Sequence, residues 1–357
     1  MNTYTKFLIN LFIRSFGYVF FIMLSLVIIL NILSEIEFFK NFEVATYFPI
    51  YMSLLNSLPL IFEIFPFIFL LSTQVFFISL FNDNQMNIFK YSGLKNSKII
   101  NLLSILTFFL GILIITIFYN FSSNLKNIYL EFKNKYTGDN SYLAVITKNG
   151  LWIKDLVDGK VKIINASRID ENFLIDVFIT EFDENYNLQR SIISEKIDVK
   201  ENQWKIFKPK ILQNNSSRTI DNISFYSNFD YQRIQNLFSN LSSLSLIELV
   251  KLKENYQKLN YSTTEVDIQL QKLISLPIYL TLMTILSALI MFNTKQFKSS
   301  TLKISVGIFL SVIVYYLNNF SYVLGNTEKI SLEMSIWLPM LVLFFINFIM
   351  IVKVNEK

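Results

Sequence analysis

Chemistry at neutral pH usually needs a thiol, an imidazole or a clustered set of acids, and this chain of 357 residues has no cysteine and no histidine. Thiol catalysis, disulfides and Cys- or His-based zinc sites are thereby excluded, and the usual general base is missing. No GxxxxGK[ST] string is present, so the chain does not bind ATP in the manner of a P-loop. Carboxylates and amines remain. Between residues 44 and 82 the only charged side chain is Glu63. Counted from the expected start of its span it falls well inside a bilayer, where an acid pairs with a partner, stays protonated or faces a water-filled cavity. That makes Glu63 the first candidate for function, with an interfacial position as the bland alternative.

The elements that carry it are apolar runs. Uncharged stretches cover residues 15 to 34, 99 to 124, 273 to 294, 304 to 327 and 334 to 352, each near the roughly 20 residues that cross about 30 Å of hydrocarbon as a helix. A sixth lies within 44 to 82, which is long enough for two tight spans turning at Asn56, Ser57 and Pro59. Charge decides for one. A single crossing leaves Lys6, Arg14, Lys90, Lys95, Lys98, Lys295, Lys298, Lys303, Lys353 and Lys357 on one side, with only Asp83 and Glu356 as acids. The short loops opposite hold Lys40 and Lys329 against Glu35, Glu37, Glu43, Glu328 and Glu333. A basic side of this kind is the cytoplasmic one. Residues 44 to about 54 therefore read as an interfacial approach and the span ends near 81, with both termini inside. The net charge of +5 is topological and does not point to nucleic acid. The first apolar run lacks a small-residue cleavage site, so it reads as a retained helix rather than a signal peptide.

Between the third and fourth spans the pattern changes to a period of two. Val161 and Ile163 alternate with lysines, Phe173, Ile175, Val177 and Ile179 are expected to share one strand face, and Trp204 and Ile206 flank Lys205. Turn signals separate these runs at Asn149-Gly150, Asp158-Gly159, Asp183 to Asn187 and Glu201-Asn202. Asp158-Gly159 predicts a two-residue hairpin. Several short antiparallel strands imply a sandwich, a jelly roll or an open barrel-like sheet. Helix returns where Ser245 with Glu248, and Ser262 with Glu265, fit capping boxes. The expected fold is an α+β membrane protein with six transmembrane helices. Its three parts are residues 1 to 120 (helices 1 to 3), 121 to 268 (a periplasmic antiparallel β-jellyroll with connecting helices) and 269 to 357 (helices 4 to 6).

These features resemble the paired permeases of the lipopolysaccharide export transporter, LptF and LptG. The resemblance covers nearly the whole chain. It rests on three-plus-three spans around a sheet domain and on local strings: Tyr91-Ser92-Gly93-Leu94, Gly150-Leu151-Trp152-Ile153-Lys154-Asp155, Asn172 to Asp183 followed by Trp204, Gln271-Lys272-Leu273 with Pro277, and Trp337-Leu338-Pro339. Trp152 and Lys272 look more like LptG than LptF.

The resemblance implies a non-catalytic subunit in the bacterial inner membrane that binds no cofactor itself, with ATP and Mg entering through a partner ATPase. Implied partners are an LptB-like ATPase dimer, a sibling LptF-like permease, LptC- and LptA-like periplasmic jellyroll proteins, and lipopolysaccharide. A short cytoplasmic helix after the second span would dock in the ATPase, which nominates Gln85, Met86, Phe89, Lys90 and Gly93. Gln85 stands where the family has a glutamate, and a neutral amide still hydrogen-bonds. Lipid A carries phosphates at the membrane surface, so Lys40, Lys126, Lys133, Lys135 and Lys272, near the outer span ends, form an expected phosphate collar, with ordinary snorkelling as the alternative for each. The first and fifth spans would line lateral gates, and the jellyroll would pass acyl chains to its neighbours.

Two other classes stay open from the residues. A lipid-modifying membrane enzyme would need acids or nucleophiles clustered near an interface; the short loops show none, but the insert has carboxylates to spare. An envelope scaffold or sensor would share the topology.

Overall fold

The computed structural model describes residues 3–82, 85–137, 151–157, 160–170, 172–183, 187–213, 216–231, 234, 240–258, 263–293, 299–327 and 329–355. Two compact units result, one of residues 1–126 and 264–357 and one of residues 127–263.

The first unit is helical. Its elements are α1 (Thr3–Phe39), α2 (Phe48–Glu63), α3 (Phe65–Asn82), α4 (Gln85–Tyr91) and α5 (Asn96–Leu113) with a π-helical turn (Ile114–Tyr119). The start of α6 (Asn120–Thr137) comes next; α7 belongs to the second unit, and α8 (Thr264–Asn293), α9 (Ser300–Asn326) and α10 (Leu332–Asn355) complete the first. Among the described residues six helices are long and apolar enough to cross a membrane: Thr3–Phe39, Phe65–Asn82, Asn96–Lys133, Thr264–Asn293, Thr301–Asn326 and Leu332–Val352. These are the six runs expected from hydropathy.

Residues 48 to 82 make one crossing. Ring pairs Phe39–Phe48, Phe20–Phe65, Phe16–Phe69 and Phe12–Phe76 run along α1 in antiparallel order without reversal, so α2 and α3 descend its length as one broken helix. At 37 residues α1 is about 55 Å long, longer than a bilayer core needs, and α2 accompanies its surplus length. The break falls at Ile64, whose N–H bonds to Ile61 O at 3.2 Å. Pro66, two residues on, has no N–H to continue the ladder and its ring opposes the carbonyl four residues back.

Several polar side chains within the spans are satisfied locally or used as clamps. Ser72 and Thr73 return their hydroxyls to the carbonyls of Ile68 and Phe69. Ser287 on α8 reaches Leu70 O at 2.7 Å, Gln74 on α3 reaches Lys303 O on α9 at 2.8 Å, and Asn347 on α10 reaches Leu282 O at 3.0 Å. In low dielectric such bonds fix which helices touch. Gly111 lies so close to α8 that a Cβ there would meet Pro277 Cα at 2.7 Å.

The second unit holds the rest of α6, an eight-stranded antiparallel sheet and α7 (Leu246–Lys258). The strands are β1 (Leu151–Val157), β2 (Lys160–Asp170), β3 (Phe173–Phe182), β4 (Leu188–Asp198), β5 (Gln203–Phe207), β6 (Lys210–Gln213), β7 (Ser216–Thr219) and β8 (Asn222–Tyr226). The sheet forks after β4: one stretch of its edge pairs with β5, which continues to β8, and another pairs with β6, which continues to β7. Val157 faces Lys160 across the first hairpin, the register a two-residue turn demands; Asp158 and Gly159 themselves lie outside the described residues, as do Asn149, Gly150 and Ser262. The Ser245–Glu248 capping box is formed, with Ser245 N donating to Glu248 Oε2 at 2.8 Å and Glu248 N to Ser245 Oγ at 3.4 Å. Trp204 and Ile206 are buried and Lys205 between them is exposed.

Two strand expectations change. Phe173, Ile175, Val177 and Ile179 do not share one buried face, because Asp176 adopts φ +51 and is skipped in the pairing with both neighbours. The register is kept on both sides of Asp176, but the buried parity changes across it, so Leu174 before it and Val177 and Ile179 after it point into the core. Ser167 Oγ donates to Asp176 Oδ2 at 3.1 Å and to Ile175 O at 3.0 Å, beside this irregular residue. On β2 it is Ile164 and Ala166 that face the core, and Lys162 shares their side.

Candidate functional site

The intramembrane acid and two of the five lysines come together. On α1, Asn31 donates to Ser53 O at 3.0 Å, and on α2 Asn56 donates to Asn31 Oδ1 at 3.3 Å. Lys126 on α6 then donates from Nζ to Asn56 Oδ1 at 2.7 Å. Glu63 lies two turns beyond Asn56 on the same helix, a spacing that keeps both on one face. Lys126 and Lys272 both act electrostatically on its carboxylate. Lys272, on α8, rests its amine 3.9 Å from the centre of the Tyr322 ring on α9, a cation–π contact. Hydrogen bonds therefore join α1, α2 and α6, and a cation–π contact joins α8 and α9.

Irregular backbone positions these groups. Glu63 is the last residue of α2, at the break imposed by Pro66. The π-helical turn of the third span packs against that break: Phe62 meets Tyr119 at 5.0 Å between ring centres and Phe65 meets Phe118 at 5.0 Å. A π turn inserts an extra residue into the helix and so rotates every later side chain about the axis, Lys126 on α6 among them. The long apolar helix that follows begins at Phe65, so Glu63 lies two residues before it. Its side chain is exposed.

The other three lysines are not among the groups that act on Glu63. Lys40, just past the end of α1, is exposed. Lys133 is buried with its amine donating to Tyr129 Oη at 2.5 Å, and Lys135 is exposed with its amine 5.2 Å from the Phe132 ring centre. The sequence gives no sign that Asn31, Asn56 and Tyr322 belong to the site, beyond the presence of amides and a phenol in otherwise apolar runs.

The short helix α4 forms over Gln85, Met86, Phe89, Lys90 and their neighbours. Met86 is buried and Phe89 packs on Phe7 of α1 at 6.1 Å, while Ile88 and Tyr91 are exposed, Tyr91 by 92%. The Lys90 side chain lies outside the described residues. Gly93 has φ +76 and ends the helix: Leu94 N reaches back to Phe89 O at 2.9 Å, the six-to-one bond that a left-handed glycine permits. Gly93 thus shapes the helix end, and Met86 and Phe89 anchor it.

In the sheet, a charged row crosses four strands on the core side. Asp155 pairs with Lys162, Lys162 with Glu181, and Glu181 with Arg190. Asp155 accepts from Ser227 Oγ at 2.7 Å, Asn228 Nδ2 at 2.9 Å and Asn228 N at 3.3 Å. Lys162 places its amine 4.0 Å from the Phe225 ring centre. Beside this row the apolar interior is filled: Ile164, Leu174, Ile179, Trp204, Ile206 and Phe229 have no exposed surface, and Trp204 Nε1 donates to Phe229 O at 2.6 Å.

A model of the lipopolysaccharide export system permease LptF/LptG family matches residues 6–353. That match takes in every element of both units apart from the extreme ends, and it covers the two members of the pair together. No curated protein matches the chain.

Proposed function

This chain belongs to the lipopolysaccharide export permease family, and from that premise we propose that it is one half of an ATP-driven exporter in a bacterial inner membrane. It lifts lipopolysaccharide out of the bilayer and passes it to a periplasmic bridge. Both termini face the cytoplasm and the sheet unit faces the periplasm, as the distribution of lysines requires. The energy comes from an LptB-like ATPase dimer, and the transmembrane path is shared with a sibling permease. LptC- and LptA-like jellyrolls continue the path.

The observation that carries this reading is the family match over residues 6–353, and the third and fourth spans each carry a half-buried lysine, Lys126 and Lys272. Two such amines suit a lipid phosphate, with acyl chains against apolar helix faces. Lys40, just past the end of α1, is a further contributor. Coupling runs through α4. With Met86 and Phe89 turned to the chain's own helices, Ile88 and Tyr91 are the side chains that meet the ATPase, and Gln85 contributes a neutral hydrogen-bonding end.

The test is mass spectrometry of the tagged chain purified gently from its native membranes. Recovery of a second six-span permease, an ATPase and lipopolysaccharide is the expected result. Reproducible recovery without an ATPase would sink the exporter reading and favour an enzyme or a scaffold.

A further inference from the structure

Gln74 is fully buried on α3, and its amide is turned to α9 rather than to its own helix. Nε2 donates to Lys303 O at 2.8 Å, while Oε1 is buried with no hydrogen-bond partner among the described residues. The amide fits because position 307 is glycine: a Cβ there would run into Gln74 Nε2 and lie 2.6 Å from Cδ and 2.7 Å from Oε1. In a regular helix the N–H of residue 307 bonds to the carbonyl of residue 303, so the amide joins the α9 ladder at the glycine notch. Two turns further along α3, the ring of Phe81 lies 5.4 Å from the Lys303 amine. The first turns of α9 are thus tied twice to one face of α3.

For stability alone an amide is a poor choice here. One of its two polar atoms goes unmet in a low-dielectric interior, and an apolar side chain of the same length avoids that cost. The place of the contact in the fold suggests another use. α3 ends at Asn82 and α4 begins at Gln85, packed against α3 and anchored on α1 by Phe89 and Phe7. α9 is a peripheral helix: 22% of its most apolar stretch is buried against 78% for α8, and Leu302, Phe309, Tyr316 and Phe320 are exposed along it. α3 therefore links the helix that meets the ATPase to one that is open along much of its length.

We propose that the Gln74 amide, seated in the Gly307 notch, is the joint through which α4 and α3 move α9. The proposal rests on the reading of α4 as the ATPase contact. Apolar side chains slide past one another at little cost, whereas a donor that leaves its acceptor is stranded in hydrocarbon. The Gln74 bond thereby keeps the two helices in register, and a displacement of α3 carries the first turns of α9 with it. Gln74 is a positioning residue that acts through α9.

The experiment uses the full chain in complex with its sibling permease and ATPase, reconstituted in proteoliposomes with lipopolysaccharide as the probe. ATP turnover, lipopolysaccharide released per ATP hydrolysed and the unfolding midpoint are read together. Gln74→Met keeps the side-chain length and removes the donor; it is expected to lower release per ATP by on the order of tenfold, with turnover and midpoint unchanged. Gly307→Ala expels the amide and is expected to lower both release per ATP and the midpoint. In the double variant Gln74→Ala, Gly307→Ala the space is restored but the bond is not, so the midpoint recovers and release stays low. Unchanged release per ATP in Gln74→Met overturns the joint, and so does a joint fall of turnover, release and midpoint, which marks a purely structural amide. Recovered release in the double variant overturns it as well. If Ile88→Ala and Tyr91→Ala leave ATPase assembly intact, the reading of α4 falls, and the joint falls with it.

Discussion

Glu181 in the sheet and Glu63 in the helical unit are both acids set among bases, and they are treated in opposite ways. Glu181 is buried and accepts two hydrogen bonds from Arg190, from Nε at 2.5 Å and Nη2 at 3.2 Å. Asp155, in the same row, has three donors from the segment at Ser227 and Asn228. Glu63 is exposed, bonded to neither lysine, and influenced by both through space. Structural charges can be told from loosely held ones on this basis. A buried carboxylate without partners is expensive, so the sheet supplies donors to both Asp155 and Glu181.

The largest effect is expected from emptying the sheet's best-satisfied site. Asp155→Ala leaves three donors without their acceptor, and should destabilise the sheet unit by about 3 kcal/mol. Thermal unfolding followed through Trp204, which lies in the affected core, reads this directly. A loss below about 1 kcal/mol would mean that the charged row contributes little to holding the sheet. In the helical unit, Gly111→Val should cost about 2 kcal/mol, because the new Cβ meets the Pro277 backbone, which has no flexible end to move. A lowered unfolding midpoint in detergent, with the sheet's own transition unchanged, is the expected outcome.

Smaller effects refine the contrast. Ser245→Ala removes one half of the capping box and should weaken α7 by about 1 kcal/mol, seen as faster amide exchange at the start of that helix. Glu63→Gln should change stability by less than about 0.5 kcal/mol, read as an unchanged unfolding midpoint. If its unfolding midpoint falls as far as that of Asp155→Ala, the two acids are alike and the distinction between structural and loosely held charge is lost.

Much of the architecture can be read from the residues because bilayers and strands impose periods. The apolar lengths locate all six spans, the two-residue spacing places the β1–β2 hairpin, and Ser245 with Glu248 announces a cap that forms as expected. The departure in β3 has a local cause. A single residue at positive φ, Asp176, marks the point where the buried parity changes, and nothing in an Asp among hydrophobics announces it as a Gly would have. Glu63 is visible in the sequence as a lone acid, but its place at a helix end is not, because counting along a run assumes an unbroken helix and this one breaks before Pro66.

Composition and spacing were enough to put this protein in a membrane, to exclude thiol and imidazole chemistry and to exclude ATP binding through a P-loop, since each of those depends only on which residue types are present and in what order. Hydropathy and alternation likewise set the kind of fold. Which charges meet depended on the folded arrangement. Lys126 and Lys272 are far apart in the chain, and both act through space on Glu63, at the end of a broken α2 that the π-helical turn meets. Electrostatics acts through space, and only packing makes a pair out of lysines scattered along the chain.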